Sequence, residues 1–185
     1  EPVSPFYAIL MMDGDDLGKQ MSDVDKQKYI TQGLSEFTKK VGDIVDTHSG
    51  FLVYAGGDDV LAILPLEHAM DCAVELRTTY DTVFTSINAK AQAEKGVWIQ
   101  TSISAAIEYA HIKTPLGKVL GDSHKLLDNI AKDQHGRDSI ACRVWKPGGL
   151  QMEWGMPWDK ALDDDNRVLL AVIADQFRTG TDGEN

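Results

Sequence analysis

Cysteine, long apolar runs and positive charge are scarce or absent in this 185-residue chain. Its only two cysteines, Cys72 and Cys142, lie far apart in no metal-binding spacing, so we expect free thiols in a reducing, cytoplasmic environment. No apolar run reaches the roughly 18 residues of a membrane-spanning helix, and no signal peptide is recognisable. These absences exclude a disulfide scaffold and a cysteine-based zinc site, and they argue against contact with a membrane.

Positive charge is also in short supply. The chain carries 18 Lys and Arg residues against 29 Asp and Glu residues, which gives a net charge of −11 and a pI of about 4.7. Because gripping long nucleic acid through its phosphates requires a basic footprint, we expect direct nucleic-acid binding to be weak. A small anionic ligand is compatible with this charge if divalent metal ions supply the positive charge.

The composition predicts one compact domain with short flanking segments. A hydrophobic content of 43% is sufficient for a single core. The sequence predicts a linker or cut end over residues 1–5, the domain over residues 6–149 and a C-terminal extension over residues 150–185. The extension is predicted to hold one helix that begins after the acidic run at 163–165. The apolar residues of this helix are Leu169, Val172, Ile173 and Phe177.

Hydrophobic periodicity predicts alternating strands and helices along the domain. Strands are predicted over residues 6–12, 51–54, 60–64, 97–109 and 139–145. Helices are predicted from Asp23 or Asp25 to a stop at Gly50, from Pro65 to about Ala93, and from Pro115 with the face Leu116, Val119, Leu120, Leu127 and Ile130. Only MEWGMPW, residues 152–158, shows no readable pattern. The order predicts an α+β class, with a ferredoxin-like β-α-β-β-α-β arrangement, an added helix and strand, and a C-terminal helix.

Two acidic clusters adjoin the predicted strands. The first strand ends at Asp13, and the GGDD turn between the second and third strands contains Asp58 and Asp59. In the predicted topology these strands are neighbours, so the three carboxylates converge and two Mg²⁺ or Mn²⁺ ions suit them. Gly56 and Gly57 allow a tight turn and the close approach of a ligand to the backbone. The plainer alternative is an ordinary glycine turn followed by solvated aspartates.

The loop DGDDLGK, residues 13–19, joins the first strand to a helix. Its backbone N–H groups are suited to line a triphosphate, with metal ions between the phosphates and the carboxylates. We assign Gly14 to both the metal and the nucleotide site, and to the nucleotide site the residues Asp15, Asp16, Leu17, Gly18 and Lys19. The alternative is a polar loop that caps a helix and carries a surface lysine.

Four blocks of sequence together carry a specific resemblance: FYAILMMDGDDLGK, YAGGDDVLAILP, SISAAIEYAHIKTPLGKVL and LLDNIAKDQHGRDSIACRVW. In this order and spacing, over about residues 6–149, they resemble the second palm domain of the large polymerase-like subunit of type III CRISPR effector complexes, particularly its Cmr-type branch. The resemblance implies a palm related to nucleotide cyclases and polymerases. It also implies conversion of ATP to cyclic oligoadenylate second messengers, with Mg²⁺ or Mn²⁺, in antiviral signalling in a prokaryotic cytoplasm.

Carried over residue by residue, the resemblance assigns both catalysis and metal binding to Asp13, Asp58 and Asp59. It adds His111 and Lys132 as nucleotide contacts, the latter to the triphosphate. The expected reaction is nucleotidyl transfer through a two-metal clamp, in which a ribose hydroxyl of one ATP attacks the α-phosphate of another. The family builds its site between two palms. The expected partners are therefore ATP, a second palm in cis, in trans or by homodimerisation, and a CRISPR RNA–protein complex.

The chain departs from the family pattern in three respects. It has no His-Asp pair of a nuclease domain, no cysteine cluster of a zinc element and no first palm. We therefore expect either an excised domain or a stand-alone relative that homodimerises to make a cyclic dinucleotide or short oligonucleotide. Three alternatives remain open: a diguanylate cyclase, whose motif has Phe where Val60 stands; a cyclase that makes a 3′,5′-cyclic monophosphate; and a catalytically silent nucleotide-binding or scaffold palm.

Overall fold

The computed structural model describes residues 4–145, 151–163 and 165–169. The strands in these ranges are β1 (Phe6–Gly14), β2 (Phe51–Gly56), β3 (Asp59–Leu64), β4 (Ile103–His111), β5 (Ser139–Trp145) and β6 (Gln151–Pro157). The α-helices are α1 (Leu17–Gln20), α2 (Val24–Thr47), α3 (Ala69–Lys95), α4 (Leu116–Lys125) and α5 (Trp158–Ala161). A 3-10 turn (Leu66–His68) precedes α3, and a π-helix (Leu126–Gln134) continues α4.

The strands form a six-stranded sheet in the order β2-β3-β1-β4-β5-β6. The first four strands have the antiparallel pairing and the order of a ferredoxin-like unit, with β1 between β3 and β4. After α4 and the π-helix, β5 joins parallel to β4, and β6 pairs antiparallel with β5. The predicted α+β, ferredoxin-like fold with an added helix and strand is therefore confirmed.

Helices α2 and α3 cover one face of the sheet. α2 begins after Asp23, whose carboxylate accepts the Asp25 N–H at 3.0 Å. It ends at Thr47, and the left-handed residue that follows is Ser49 with φ 56°, not the predicted Gly50. Gly50 is instead needed for packing, because a Cβ there would lie 2.6 Å from Leu64 Cδ2. Within the described ranges, no helix has the length and apolar content that crossing a membrane requires.

Helix α4 and the π-helix cover the opposite face over β1, β4 and β5. Four residues of the predicted helix face pack there: Val119, Leu120, Leu127 and Ile130. Leu116 is exposed instead, and Leu126 and Ala131, which the prediction missed, are buried. A π-helix has i→i+5 hydrogen bonds and a wider turn, so a 3.6-residue pattern loses its register after Lys125.

The predicted strand over residues 97–109 is wrong in its first half, because β4 begins at Ile103. Side chains, not a neighbouring strand, satisfy the backbone before it. The Asn88 amide donates to the Ile99 carbonyl at 2.9 Å and accepts the Ile99 N–H at 2.8 Å. The Gln20 side chain bonds to the Gln100 backbone in the same manner. A side chain that replaces strand hydrogen bonds leaves the apolar alternation unchanged, so the sequence pattern did not reveal it.

The segment that had no readable pattern, MEWGMPW, forms most of β6 and the first residue of α5. Trp158 is fully buried, and its indole N–H donates to the Ile103 carbonyl at 3.0 Å. The helix predicted after the acidic run at 163–165 lies almost wholly outside the described residues. The division of the chain at residue 149 stays a prediction. Cys72 and Cys142 are buried free thiols, as predicted.

A buried carboxyl on β4 lies away from the acidic turn. Glu108 is fully buried, and neither of its oxygens has a hydrogen-bond partner among the described residues. Its neighbour across the parallel strands, Arg143, places Nη1 3.6 Å from Oε2 while bonding Glu153 at 2.5 and 2.9 Å. Burial raises the pKa of Glu108 to about 7, Arg143 opposes this rise, and Asp122 adds to it. The chain therefore loses stability where this carboxyl ionises inside the fold.

Glu108→Gln is expected to stabilise the chain at pH 8 by about 1–3 kcal/mol, because Gln carries no charge to bury. The folded pKa lies above the ordinary value, so the parent loses stability as the pH rises through about 7. Below the ordinary value the carboxyl is neutral in both states, and the difference should nearly vanish. Urea unfolding of the parent and of Glu108→Gln measures the difference in unfolding free energy at pH 4 and at pH 8. Exposed Glu67→Gln is the control, expected within about 0.5 kcal/mol at each pH. A stability gain of Glu108→Gln that is equal at pH 4 and pH 8 would contradict the raised pKa of Glu108.

Candidate functional site

The predicted acidic residues meet at one edge of the sheet. β1 pairs antiparallel with β3 in a register that aligns Met12 with Val60, so Asp13 and Asp59 follow as the next facing positions. Asp58 lies in the turn before β3, and the charge of Asp13 raises the pKa of both Asp58 and Asp59. The juxtaposition inferred from the ferredoxin-like order is therefore present in the fold.

Glycines permit this approach. Gly57 has φ 65°, a left-handed conformation that glycine adopts without strain, and its carbonyl accepts the Thr38 hydroxyl at 3.1 Å. A Cβ on Gly56 would collide with the Tyr54 ring. A Cβ on Gly14 would lie 2.6 Å from Asp58 Cβ and 2.9 Å from its Oδ2. The strand end at Gly14 and the turn thus touch closely enough to exclude any side chain.

Burial and mutual repulsion perturb two of the carboxyls. Burial raises the pKa of Asp58, and the charges of Asp13 and Asp15 raise it further. Asp59 is exposed to solvent, yet the protein around its carboxyl partly desolvates it and so raises its pKa, with the charge of Asp13 next in size. Two influences oppose this rise: a backbone hydrogen bond lowers the pKa of Asp58, and Lys132 on the π-helix, whose ammonium contacts Asp13 Oδ2, lowers the pKa values of both Asp58 and Asp59. The site therefore holds more negative charge than the fold neutralises.

Within the loop after β1, two of the predicted nucleotide contacts lie inside the protein. Asp15 is buried, and its carboxylate accepts Ser102 Oγ at 2.7 Å, Ser104 Oγ at 2.9 Å and the Asp138 N–H at 3.1 Å. Leu17 is buried in the core between the helices and the sheet. Asp15 therefore holds the loop onto β4 and the start of β5, Leu17 anchors it in the core, and neither buried side chain has an open path to a ligand.

The other predicted residues of this loop are accessible. Asp16 is exposed with φ 61°, and its carboxylate lies 3.7 Å from Arg137 Nε. Gly18 and Lys19 are exposed on α1, and a Cβ on Gly18 would meet no atom within 4 Å. Their contact with a nucleotide stays a prediction.

His111 is not near the acidic turn. The β1–β4 register pairs it with Phe6, at the opposite end of β1 from Asp13. At roughly 3.4 Å per residue, seven positions separate the two ends by about 24 Å. Its Nδ1 accepts the Lys113 N–H at 3.1 Å, and its ring packs edge-on against Phe6. Within this chain His111 is therefore placed away from the predicted nucleotide site.

A cleft of about 300 Å³ opens beside the carboxylates, between the β2–β3 hairpin and the π-helix. Its lining residues are Met11, Met12, Asp13, Tyr54, Asp59, Val60, Leu61, His124, Leu127 and Asp128. The sequence analysis did not identify His124 or Asp128, because both belong to a helix read only for its apolar face. Their i, i+4 spacing, which places two polar side chains on one helix face, is the signal that could have found them.

The residues at the turn fit a hard divalent cation. Carboxylate oxygens are the donors that Mg²⁺ and Mn²⁺ prefer, and three carboxyls converge here with excess negative charge. The Lys132 ammonium already lies against Asp13, so the site accepts a positive charge. In the described part of the chain, no three Asp, Glu, His or Cys side chains are arranged as a finished metal-binding group. A cation would therefore be bound by Asp13, Asp58 and Asp59 with some rearrangement.

Known proteins share this architecture. The family described as Cas10/Cmr2, second palm domain, matches residues 6–141. CRISPR system Cmr subunit Cmr2 of Pyrococcus furiosus is 33% identical over 173 aligned residues, covering 78% of this chain and 19% of that protein. The chain thus spans about a fifth of the length of this curated relative.

Two solved structures show the same fold at low identity. The Csm1–Csm4 cassette in complex with cA4 has a TM-score of 0.60 and 19% identity, covering 73% of this chain and 20% of that one. The guanylyl cyclase Cya2 has a TM-score of 0.54 and 12% identity, covering 81% of this chain and 89% of that one. The family match runs from β1 into β5 and includes Asp13, Asp58 and Asp59. This chain, with its ferredoxin-like sheet and its acidic turn, belongs to the Cas10/Cmr2 second palm domain family.

Proposed function

We propose that this palm is the acidic half of a nucleotidyltransferase site that converts ATP to cyclic oligoadenylates. The observation that carries the proposal is the convergence of Asp13, Asp58 and Asp59 beside an open cleft. The family membership supports it, as does the solved Csm1–Csm4 cassette, which is a complex with cA4. We further propose that the chain acts within a type III CRISPR effector complex, as its Cmr2 relative is named.

In the proposed reaction the side chains of this chain bind and orient the reactants. Asp13, Asp58 and Asp59 hold the cations, and Lys132, on the neighbouring π-helix, reaches the same point to contact phosphate. Bound Mg²⁺ or Mn²⁺ supplies the acidity and charge stabilisation that phosphoryl chemistry requires. Buried Asp15 holds the loop after β1 against β4, which keeps Gly14 in contact with the acidic turn.

We propose that a second palm completes the site. Asp59 is exposed, and a cleft of about 300 Å³ is at the small end of ligand sites. Beside the cleft, the outermost described strand β2 exposes three large apolar residues, Phe51 at 68%, Val53 at 49% and Tyr54 at 54%, and Tyr54 lines the cleft. Such an apolar patch next to a half-open site is typical of an interface. The second palm comes from the rest of a longer chain or from another copy of this one.

The test is incubation of the chain with α-labelled ATP and Mn²⁺, with products resolved by size, and with EDTA as the metal-removal control. The expected result is cyclic oligoadenylate that disappears when the metal is chelated. Product from the chain alone would favour homodimerisation and the stand-alone alternative. ATP binding without product would mean that a separate first palm must be added. A chain that binds no ATP in Mn²⁺ would overturn the proposal and favour the scaffold alternative.

A further inference from the structure

The π-helix delivers a single amine into the acidic site. The Lys132 side chain is only 12% exposed, and its ammonium contacts Asp13 Oδ2. The same nitrogen lies 4.0 Å from Oδ1 of buried Asp15. The positive charge of Lys132 also acts on Asp58 and Asp59. Two carboxylates, those of Asp13 and Asp15, therefore lie within 4.0 Å of one ammonium.

This ion pair differs from an ordinary structural salt bridge. The Asp13 side chain is 32% exposed, on the side that opens to the cleft, so a solute reaches it without unfolding the chain. A lysine ammonium is a compact charge on a flexible four-carbon stem, and it can leave one carboxylate while its backbone stays in place. The stem begins on a π-helix, a rare element that is frequent at functional sites.

We propose, on the basis of the proposed function, that Lys132 is a tethered counter-ion of the metal site. Without divalent metal it lies on Asp13 and neutralises part of the cluster. Metal binding displaces it from Asp13, and its freed ammonium then contacts the phosphates of the nucleotide. Lys132 is thus a competitor of the metal and a partner of the nucleotide, and removing it has opposite effects on the two affinities.

The test is Mn²⁺ binding to the chain without nucleotide, measured from the electron paramagnetic resonance signal of free Mn²⁺, followed by ATP binding in saturating Mn²⁺. Lys132→Gln is expected to bind Mn²⁺ about 10-fold more tightly than the parent, because a positive charge is removed beside the carboxylates. The same variant is expected to bind ATP about 10-fold more weakly, because a charge-assisted contact is lost. Opposite signs for the two ligands are the signature of displacement.

Two further variants control for charge and for structure. Lys132→Arg keeps the charge and is expected to show no gain in Mn²⁺ affinity. Lys125→Gln removes a 70%-exposed lysine at the end of α4, so it makes the same change in net charge while the contact between Lys132 and Asp13 is kept. Its Mn²⁺ affinity is expected to stay within about twofold, because an exposed charge is screened by salt. Urea unfolding of each variant reports whether the fold is kept.

The outcomes separate this inference from the function on which it rests. Tighter Mn²⁺ binding by Lys132→Gln, with no such gain in Lys132→Arg or Lys125→Gln, supports the displacement. Mn²⁺ binding that is equal or weaker in that variant, with a parent that still binds Mn²⁺, overturns the displacement and leaves the proposed function intact. If neither the folded parent nor folded Lys132→Gln binds Mn²⁺, both the displacement and the proposed function are overturned.

Discussion

The double substitution Asp58→Asn/Asp59→Asn is expected to abolish nucleotide product while making the fold more stable. Asn keeps the size of each side chain but removes the negative charge that holds the cations. Loss of several kcal/mol of charge stabilisation lowers the rate by at least about 10³-fold. The raised pKa values of both carboxyls mean that their charged forms are unfavourable in the fold. Product formation and thermal unfolding at pH 7.5 measure the two effects.

The stability gain has a defined pH dependence. Both folded pKa values lie above the ordinary value, so the parent loses stability as the pH rises through them. Below the ordinary value the carboxyls are neutral in both states, and the advantage of the variant disappears. At neutral pH each kcal/mol gained raises the melting temperature by about 2–4 °C in a chain of this size.

A matched control separates local from general charge effects. Asp43→Asn/Asp46→Asn removes the same charge from two exposed positions on α2 and should leave product formation within about twofold. Unfolding of the Asp58→Asn/Asp59→Asn variant would assign these residues a structural role. Product formation at the parent rate would exclude them from the chemistry.

Gly14→Ala is expected to damage both the fold and the metal site. Its Cβ would lie 2.6 Å from Asp58 Cβ, 2.9 Å from Asp58 Oδ2 and 3.0 Å from the Tyr80 hydroxyl. Tyr80 is buried and bonded to Thr101 Oγ1 at 2.8 Å, so it cannot move aside freely. The turn that holds Asp58 must therefore shift. We expect a loss of about 1–3 kcal/mol in unfolding free energy and about 100-fold in Mn²⁺ affinity.

The comparison for Gly14→Ala is Gly117→Ala. A Cβ on Gly117, near the start of α4, would meet no atom within 4 Å. Alanine favours a helix over glycine, so this control should be neutral or stabilise the chain by up to about 1 kcal/mol. Urea unfolding and Mn²⁺ titration apply to both variants. A Gly14→Ala protein with unchanged Mn²⁺ affinity would show that the contact between β1 and the turn does not position Asp58.

The large features of the fold could be read from the sequence because each is local. A continuous apolar run marked β1, helical spacing marked α2 and α3, and the GGDD turn marked the β2–β3 hairpin. The ferredoxin-like order followed from their succession, and that order alone predicts that Asp13 lies beside Asp58 and Asp59. Resemblance extended this to Lys132, which the fold places against Asp13.

The failures in secondary structure arose where side-chain hydrogen bonds or an altered helix replaced a regular local pattern. Asn88 and Gln20 supply the hydrogen bonds that a strand at 97–102 would have made. The π-helix changes the period after Lys125, so Leu126 and Ala131 were missed. The apolar alternation at 97–102 does not reveal such side-chain hydrogen bonds, and the assumed 3.6-residue period does not fit a π-helix.

The sequence by itself determined the carboxylates, the glycines around them and the strand order that brings them together, since these depend on residue type and chain order. Only the tertiary structure decided which acidic residues remain available. Asp15 is the neighbour of exposed Asp16 in the loop after β1, yet Ser102 and Ser104 donate hydrogen bonds to it inside the protein. His111 shares a sheet with Asp13 but lies at the other end of β1. Proximity in the fold depends on strand register and burial, which residue identity alone does not contain.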